Sequence, residues 1–270
     1  MNDTGGMPGN RGIPADIRTD IAHPARIYDY WLGGKDNFAV DRALGERALE
    51  LVPYMRVYAR GNRQFMVRAV RFLCDAGIRQ FLDIGAGLPT SPNVHEIAQQ
   101  ADPDSRVVYV DNDPMVFLHA EALMAKGDRT AVVRADMRDA DDVLAQAGKL
   151  IDFSAPVGLM FVACLHHLED QDDPAGLVAR YLDAMPPGSY LVLSHATDDF
   201  APEGFRQGAI EAREQGMVVA VRGKDTILRM FHGRELVDPG LVLVSRWRPD
   251  SDRPDPNAEH VNAYGGIAAL

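Results

Sequence analysis

Three carboxylates close three apolar stretches of this chain, and glycines follow the first of them. In FLDIGAGLPT, residues 81–90, the apolar run ends at Asp83-Ile84-Gly85. Gly85 and Gly87 then permit a tight turn whose main chain a ribose can approach closely, which side chains would obstruct. Ser91-Pro92 reads as an N-cap and first helical residue, so the following helix would offer free N–H groups and a positive dipole end to an anion. The second stretch, RVVYVDNDP, ends in Asp111, at the separation from the glycines where a carboxylate can accept hydrogen bonds from both hydroxyls of a ribose. The third, TAVVRADMRD, ends in Asp136-Met137. There Asp136 could take the exocyclic amine of adenine while the adjacent N–H meets a ring nitrogen and Met137 covers a ring face. Each feature has a plainer reading: the glycines merely turn a strand into a helix, and Asp136 caps one. Asp113-Pro114 reads as such a cap, with no ligand role. Acids after three successive strands together point to a nucleotide.

A dinucleotide loop would read G-x-G-x-x-G, but Thr90 occupies the third glycine position here, which weakens the NAD reading. GLMFVACLHHLED places His166 and His167 just beyond a fourth apolar run. A histidine there could take a proton from a nucleophile. Adjacent side chains diverge, so at least one of the pair is expected to be structural and joint metal ligation is not expected. Between 54 and 80 the arginines Arg56, Arg60, Arg63, Arg68, Arg71 and Arg79 face a single acid, Asp75. Most read as a solvated helix face. Arg63, beside Asn62, is the one placed to reach a ligand carboxylate.

The elements that must position these residues follow from hydrophobic period. Residues 22–32 read as a short helix with Ile27, Tyr28, Trp31 and Leu32 on one side, stopped by Gly33-Gly34. A second helix is expected over about 40–51. A longer one is expected over 54–76, where Tyr58, Phe65, Ala69, Phe72 and Leu73 recur at helical steps and Gly77 ends the run. Then strand-length apolar runs at 81–85, 107–111, 131–135, 157–163 and 189–195 alternate with helix-length segments. Such alternation predicts a mostly parallel, doubly wound α/β sheet, with the ligand crevice beyond the carboxyl ends of its strands. Helices are expected at 202–216 and 224–232. Leu241 to Trp247 and about 259–268 read as a terminal hairpin that adds antiparallel strands.

Composition narrows the partners. A chain of 270 residues, 46% hydrophobic, is long enough for one large α/β domain. The net charge of −11 argues against a protein held to nucleic acid or anionic lipid by clustered Lys and Arg. Cys74 and Cys164 stand far apart in apolar runs, supporting neither a disulfide framework nor a cysteine zinc site. No apolar stretch approaches the length of a membrane span, and residues 1–21 read as a loose tail without a signal-peptide core. A reducing, cytoplasmic setting and a small-molecule partner are the expectation.

Asp83, Gly85, Gly87, Asp111 and Asp136 match in order the pattern of class I S-adenosylmethionine methyltransferases: acid-x-Gly-x-Gly after strand one, then an acid after each of strands two and three. HHLED resembles the segment after strand four in many such enzymes. PARIYDYWLGGKDNFAVDR, at 24–42, together with GLVLVSRWRPD and YGGIA near the end, resembles more narrowly a family of S-adenosyl methyltransferases long catalogued as a domain of unknown function. The resemblance implies a seven-stranded Rossmann-like sheet with a C-terminal antiparallel hairpin, a helical lid with the first sheet-packing helix at 22–78, and a methyltransferase core at 79–270. It implies S-adenosylmethionine as cofactor. Asp83 with the glycines would form its cradle, Asp111 with Asn112 its ribose site, and Asp136 with Met137 its adenine site. Arg63 would meet its carboxylate, and Tyr28, Gly33, Gly34 and Asn37 would form an aromatic, glycine-rich lid. His166 is the candidate catalytic base, no metal is implied, and the methyl acceptor is expected to be small. A cofactor-binding protein without transferase activity would keep every one of these residues. An NAD-dependent oxidoreductase would leave Asp136 without a task, and an aminopropyl transferase would need acids arranged for a polyamine.

Overall fold

The computed structural model describes residues 17–124, 127–200, 202–250 and 258–270. Most of the expected tail thus lies outside the described residues. Five parallel strands carry the alternating apolar pattern: β1 (Gln80–Ile84), β2 (Arg106–Asp111), β3 (Thr130–Arg134), β4 (Gly158–Val162) and β5 (Tyr190–Ala196). With β6 (Val242–Leu243) and β7 (Ala263–Ala269) they form one sheet in the order β3-β2-β1-β4-β5-β7-β6. Successive residues serve opposite faces, as the strand period requires. Leu82, Val108, Leu159 and Leu191 enter one core, which packs α6 (Ala140–Ala147) and α7 (Pro174–Leu182). Phe81, Val107, Met160 and Val192 enter the other, with α3 (Met55–Asp75) and α4 (Val94–Ala101). Both faces are covered, so the strands are apolar nearly throughout.

The chain runs outward from β1 through β2 to β3, then returns to place β4 on the other side of β1. The strand order therefore reverses between β1 and β4, and the crevice beyond their carboxyl ends is where such sheets bind ligands. Gly85 follows β1 at this point with φ +69, and a Cβ on it would lie 2.4 Å from the Cβ of Cys164. Left-handed backbone and close approach both demand glycine there.

Two expectations need correction. The helix after the glycine turn starts at Val94, not at Pro92: Ser91-Pro92 is a cis peptide in the loop, and Asn93 is the N-cap, with its N–H donated to Glu96 at 2.6 Å. A carboxylate of the chain already sits at that helix start, where an external anion was expected to dock. The terminal hairpin is only part strand, since β6 has two residues and then turns into a 3-10 segment at Val244–Arg246. The buried Arg68 guanidinium accounts for this, because it takes the carbonyls of Val244 at 2.6 Å and Trp247 at 2.8 Å out of the sheet. That run is apolar because Trp247 is wholly buried and packs edge-on against Phe65 and Phe72 of α3.

Above the carboxyl ends of the strands stand α1 (Pro24–Leu32), α2 (Ala39–Leu51) and α8 (Pro202–Glu214). Ile27 of α1, Ala212 of α8 and Met217 form one buried cluster with Trp31, Leu44 and Val219 against it. Arg47 of α2 forks onto Glu211 of α8 at 2.7 and 2.8 Å. The N-terminal helices and the segment after β5 thus make a joint roof. Helix α5 (Pro114–Met124) follows β2, and α9 (Lys224–Arg229) precedes β6. Among the described residues no helix is long and apolar enough to cross a membrane.

Candidate functional site

The sheet brings Asp83, Gly85, Gly87 and Asp111 together. Asp83, at the inner end of β1, is 7% exposed, and burial pushes its carboxyl up to about 7, against the pull of Arg63 and with a further push from Asp111. Asp111 receives one main-chain N–H on each carboxylate oxygen, from Gly87 at 2.8 Å and from Asp113 at 2.9 Å. Burial raises its pKa too. The backbone itself therefore aims this carboxylate, because the Gly87 turn and the start of α5 both point N–H groups at it. Asn112 is exposed at the rim. Arg63 lines the same crevice as Asp83, Gly87 and Tyr109, while its guanidinium donates to the carbonyls of Thr90 and Pro92.

The third acid is placed as expected but is not free. Arg138 forks onto Asp136 at 3.0 and 2.6 Å and adds its own N–H at 2.9 Å, which holds the Asp136 carboxyl below its usual range. Met137 is half-buried against the core, and its carbonyl accepts from Tyr181 Oη at 2.9 Å.

The lid residues divide. Tyr28 Oη donates to Ala59 O at 2.9 Å and accepts from Asn62 Nδ2 at 3.0 Å, so it fastens α1 to α3, and burial pushes its phenol up to about 12. Gly33 takes the left-handed position after α1. Gly34 packs on the carboxylate of Asp29, which also accepts from Asn37 Nδ2 at 2.8 Å and Asp36 N at 3.0 Å. Gly33, Gly34 and Asn37 thus shape the loop around Asp29, with Asn37 Nδ2 on its carboxylate and Gly34 N on its main-chain carbonyl.

Beyond β4, Ala163 adopts φ +58, an uncommon conformation for a residue with a Cβ, and its N–H is held by Ser194 O at 3.1 Å and Ser194 Oγ at 3.0 Å. The 3-10 turn Leu165–His167 follows. His167 Nδ1 meets Val218 O at 2.9 Å, and burial pushes its imidazole down to about 4. His166 is buried with Nδ1 unpartnered, and burial, with His167, His195 and Arg222 beside it, holds its pKa well below the usual value. The two histidines diverge as neighbouring side chains must. The segment from Met217 to Arg222 straps this turn to the roof, with Ala220 N on His166 O at 2.7 Å and Val219 packed in the α1–α8 cluster.

A family profile described as S-adenosyl methyltransferase matches residues 10–270. A solved DUF574 family protein from Streptomyces avermitilis superposes with a TM-score of 0.90 at 44% identity, over 94% of this chain and 99% of that one. A structure from Thermobifida fusca, described provisionally as a methyltransferase, gives 0.87 at 43% identity, over 95% of this chain and 97% of that one. At 14% identity an O-methyltransferase family protein from Burkholderia thailandensis shares the fold alone, with a TM-score of 0.50 over 82% of this chain and 61% of that one. A comparison with curated proteins finds no match.

The chain belongs to the S-adenosyl methyltransferase family. Its cofactor is S-adenosylmethionine, and its sheet is the mostly parallel seven-stranded kind with antiparallel C-terminal strands.

In this methyltransferase α3 carries two further buried polar residues, Tyr58 and Asn62, that motif reading passed over. Tyr58 is 2% exposed, with its hydroxyl unpartnered and its ring edge-on to Tyr28. Asn62 Oδ1 accepts from Ser194 Oγ at 2.6 Å, which links the lid tyrosine through α3 to the turn after β4. The helical period placed Tyr58 and Asn62 on α3, but no local signal distinguishes a core tyrosine from one whose hydroxyl lacks a partner. Arg138 stands two residues after Asp136 in the sequence, but only the structure shows its guanidinium forked onto that carboxylate.

Proposed function

We propose that this methyltransferase acts on a small-molecule acceptor held beneath the roof of α1, α2 and α8, with His166 receiving the acceptor's proton. The strand ends fit the cofactor on observations internal to the fold. Each oxygen of Asp111 carries one backbone N–H and keeps lone-pair capacity for a ribose hydroxyl. Tyr58 Oη and His166 Nδ1 are buried polar atoms without a protein partner, open to a bound ligand or water.

On this reading Asp111 binds the ribose, with Asn112 at its edge, and the glycine turn lets the nucleoside approach the backbone. Asp83 and Arg63 hold the amine and carboxylate of the methionine end, over which Tyr28 closes. Asp136 and Met137 face the adenine, and Asp136 shares its carboxylate between Arg138 and the ring amine. Gly33, Gly34 and Asn37 keep the lid loop in shape. The bound sulfonium supplies an activated methyl group. The chain contributes alignment, exclusion of water and, for an O–H or N–H nucleophile, a proton acceptor. Burial keeps His166 neutral, with a ring nitrogen free, and the same burial makes it a weaker base than an open imidazole.

The observation that carries the reading is the contrast between the two histidines: His167 is committed to Val218 O while His166 keeps an unpartnered nitrogen under the roof. The test supplies S-adenosylmethionine with either the low-molecular-weight filtrate or the macromolecular retentate of a cell extract and measures S-adenosylhomocysteine by mass spectrometry. Turnover is expected with the filtrate and lost in His166→Ala, which still binds S-adenosylhomocysteine. Turnover with the retentate alone, or filtrate turnover undiminished in His166→Ala, refutes the proposal. Cofactor binding with no turnover in either fraction points to a binding protein.

A further inference from the structure

Asp113 has a second task besides capping α5. Its Oδ1 accepts from Met115 N at 2.7 Å, the expected cap. Its Oδ2 faces the lid instead, 2.9 Å from His23 Nδ1 and 3.9 Å from Arg26 Nε. His23 Nδ1 is also 3.3 Å from Ala25 N, whose N–H it can accept only when unprotonated. The carboxylate contact is the closer of the two. Arg26 continues the cluster to Asp41 at 3.4 Å, and Asp41, wholly buried, accepts from His23 N and Phe38 N at 2.9 and 2.7 Å. Asp41 thereby ties the starts of α1 and α2 together. On its other side, Asp113 donates its N–H to Asp111 Oδ1 at 2.9 Å.

Around this polar cluster lies a small apolar seal, in which Ala25 and Phe38 of the lid pack on Leu88, Met115 and Val116. Charges are seldom buried unless they are paired, so separating the lid from α5 would take both cationic neighbours from Asp113, while Arg26 would keep Asp41 and the carbonyls of Arg18 and Ile21. Neither Arg26 Nε nor Asp113 Oδ2 completes a well-directed hydrogen bond here, although both are buried. Their contact is one of charge, which a small shift of the lid can tighten or release.

We infer that Asp113 is a positioning residue that clasps the N-terminal lid to the ribose carboxylate, so that lid opening and cofactor release are a single event. The inference rests on the reading of Asp111 as the ribose acid. Serine is as good an N-cap as aspartate, so Asp113→Ser keeps the α5 cap and removes the clasp. Arg26→Met weakens the clasp from the lid side without touching α5. The measurement is the dissociation rate of S-adenosylhomocysteine from the full chain, with hydrogen exchange of residues 24–38 alongside.

Dissociation is expected to quicken about tenfold in Asp113→Ser, within the range of coupling in one polar network, with faster exchange over 24–38 and α5 still protected. Arg26→Met should quicken it as well, and the double variant should be little worse than the faster single one. A purely structural Asp113 would lower the melting temperature while leaving dissociation within about twofold of the parent, and that result overturns the inference. Additive effects in the double variant overturn it too. Failure of the parent to bind S-adenosylhomocysteine instead removes the ribose reading on which it rests.

Discussion

Asp83→Asn removes a carboxyl that is buried at the end of β1 and titrates at about 7, against 3.8 in an open chain. Because the folded-state pKa is the higher one, the folded protein keeps a proton that the unfolded chain releases between these two values. Stability from this group therefore declines as pH rises through that window and is lowest above about 7. By linkage the whole interval costs the ionised protein about 4 kcal/mol, of which roughly 2–3 kcal/mol accrues between about pH 5 and pH 8. Asparagine has nearly the same shape and no charge, so its own effect does not change with pH. Urea denaturation of parent and variant across that range should show the stability difference moving in the variant's favour by roughly that amount as pH rises. A difference that stays flat, or moves towards the parent, refutes the argument that burial sets the state of Asp83. The variant should also bind S-adenosylhomocysteine more weakly, since a neutral amide attracts the ligand's ammonium less than a carboxylate does.

Asp111→Ala should abolish most of the rise in melting temperature that S-adenosylhomocysteine confers on the parent, because only ligand bound to the folded state stabilises it; NAD should confer none on either protein. Tyr58→Phe removes an unpartnered buried hydroxyl, so in the absence of ligand it should be stabilised by about 1 kcal/mol. Weaker ligand binding in the same variant would show that the hydroxyl finds its partner in the complex, and unchanged binding that it does not. Arg68→Met leaves the carbonyls of Val244 and Trp247 without their donor and should destabilise the fold by about 1–3 kcal/mol in chemical denaturation, with the loss felt at β6 rather than at the cofactor site.

The strands, the glycine turn and the acids that end β1, β2 and β3 were legible along the chain because each depends on neighbours a few residues away. Period-two apolar runs make strands, a left-handed turn needs Gly85, and a parallel sheet sends every strand's last residue to one edge. Family membership was legible for the same reason, since its motifs are short and contiguous. What the folded chain alone decided depends on contacts between distant segments. Arg68 turns a strand-like run into a 3-10 segment through two carbonyls that lie 176 and 179 residues ahead. Glu96 fills the helix start where an anion was expected, and Asn37 Nδ2 and Gly34 N are spent on Asp29. His166 and His167 are alike in sequence, and only the fold gives His167 the carbonyl of Val218 and leaves His166 Nδ1 without a protein partner. Asp113 is the clearest case: locally it is a helix cap and nothing more. Its second oxygen acquires a task only when α1 and α2, more than 60 residues before it, are laid across α5 and their charges are buried against it.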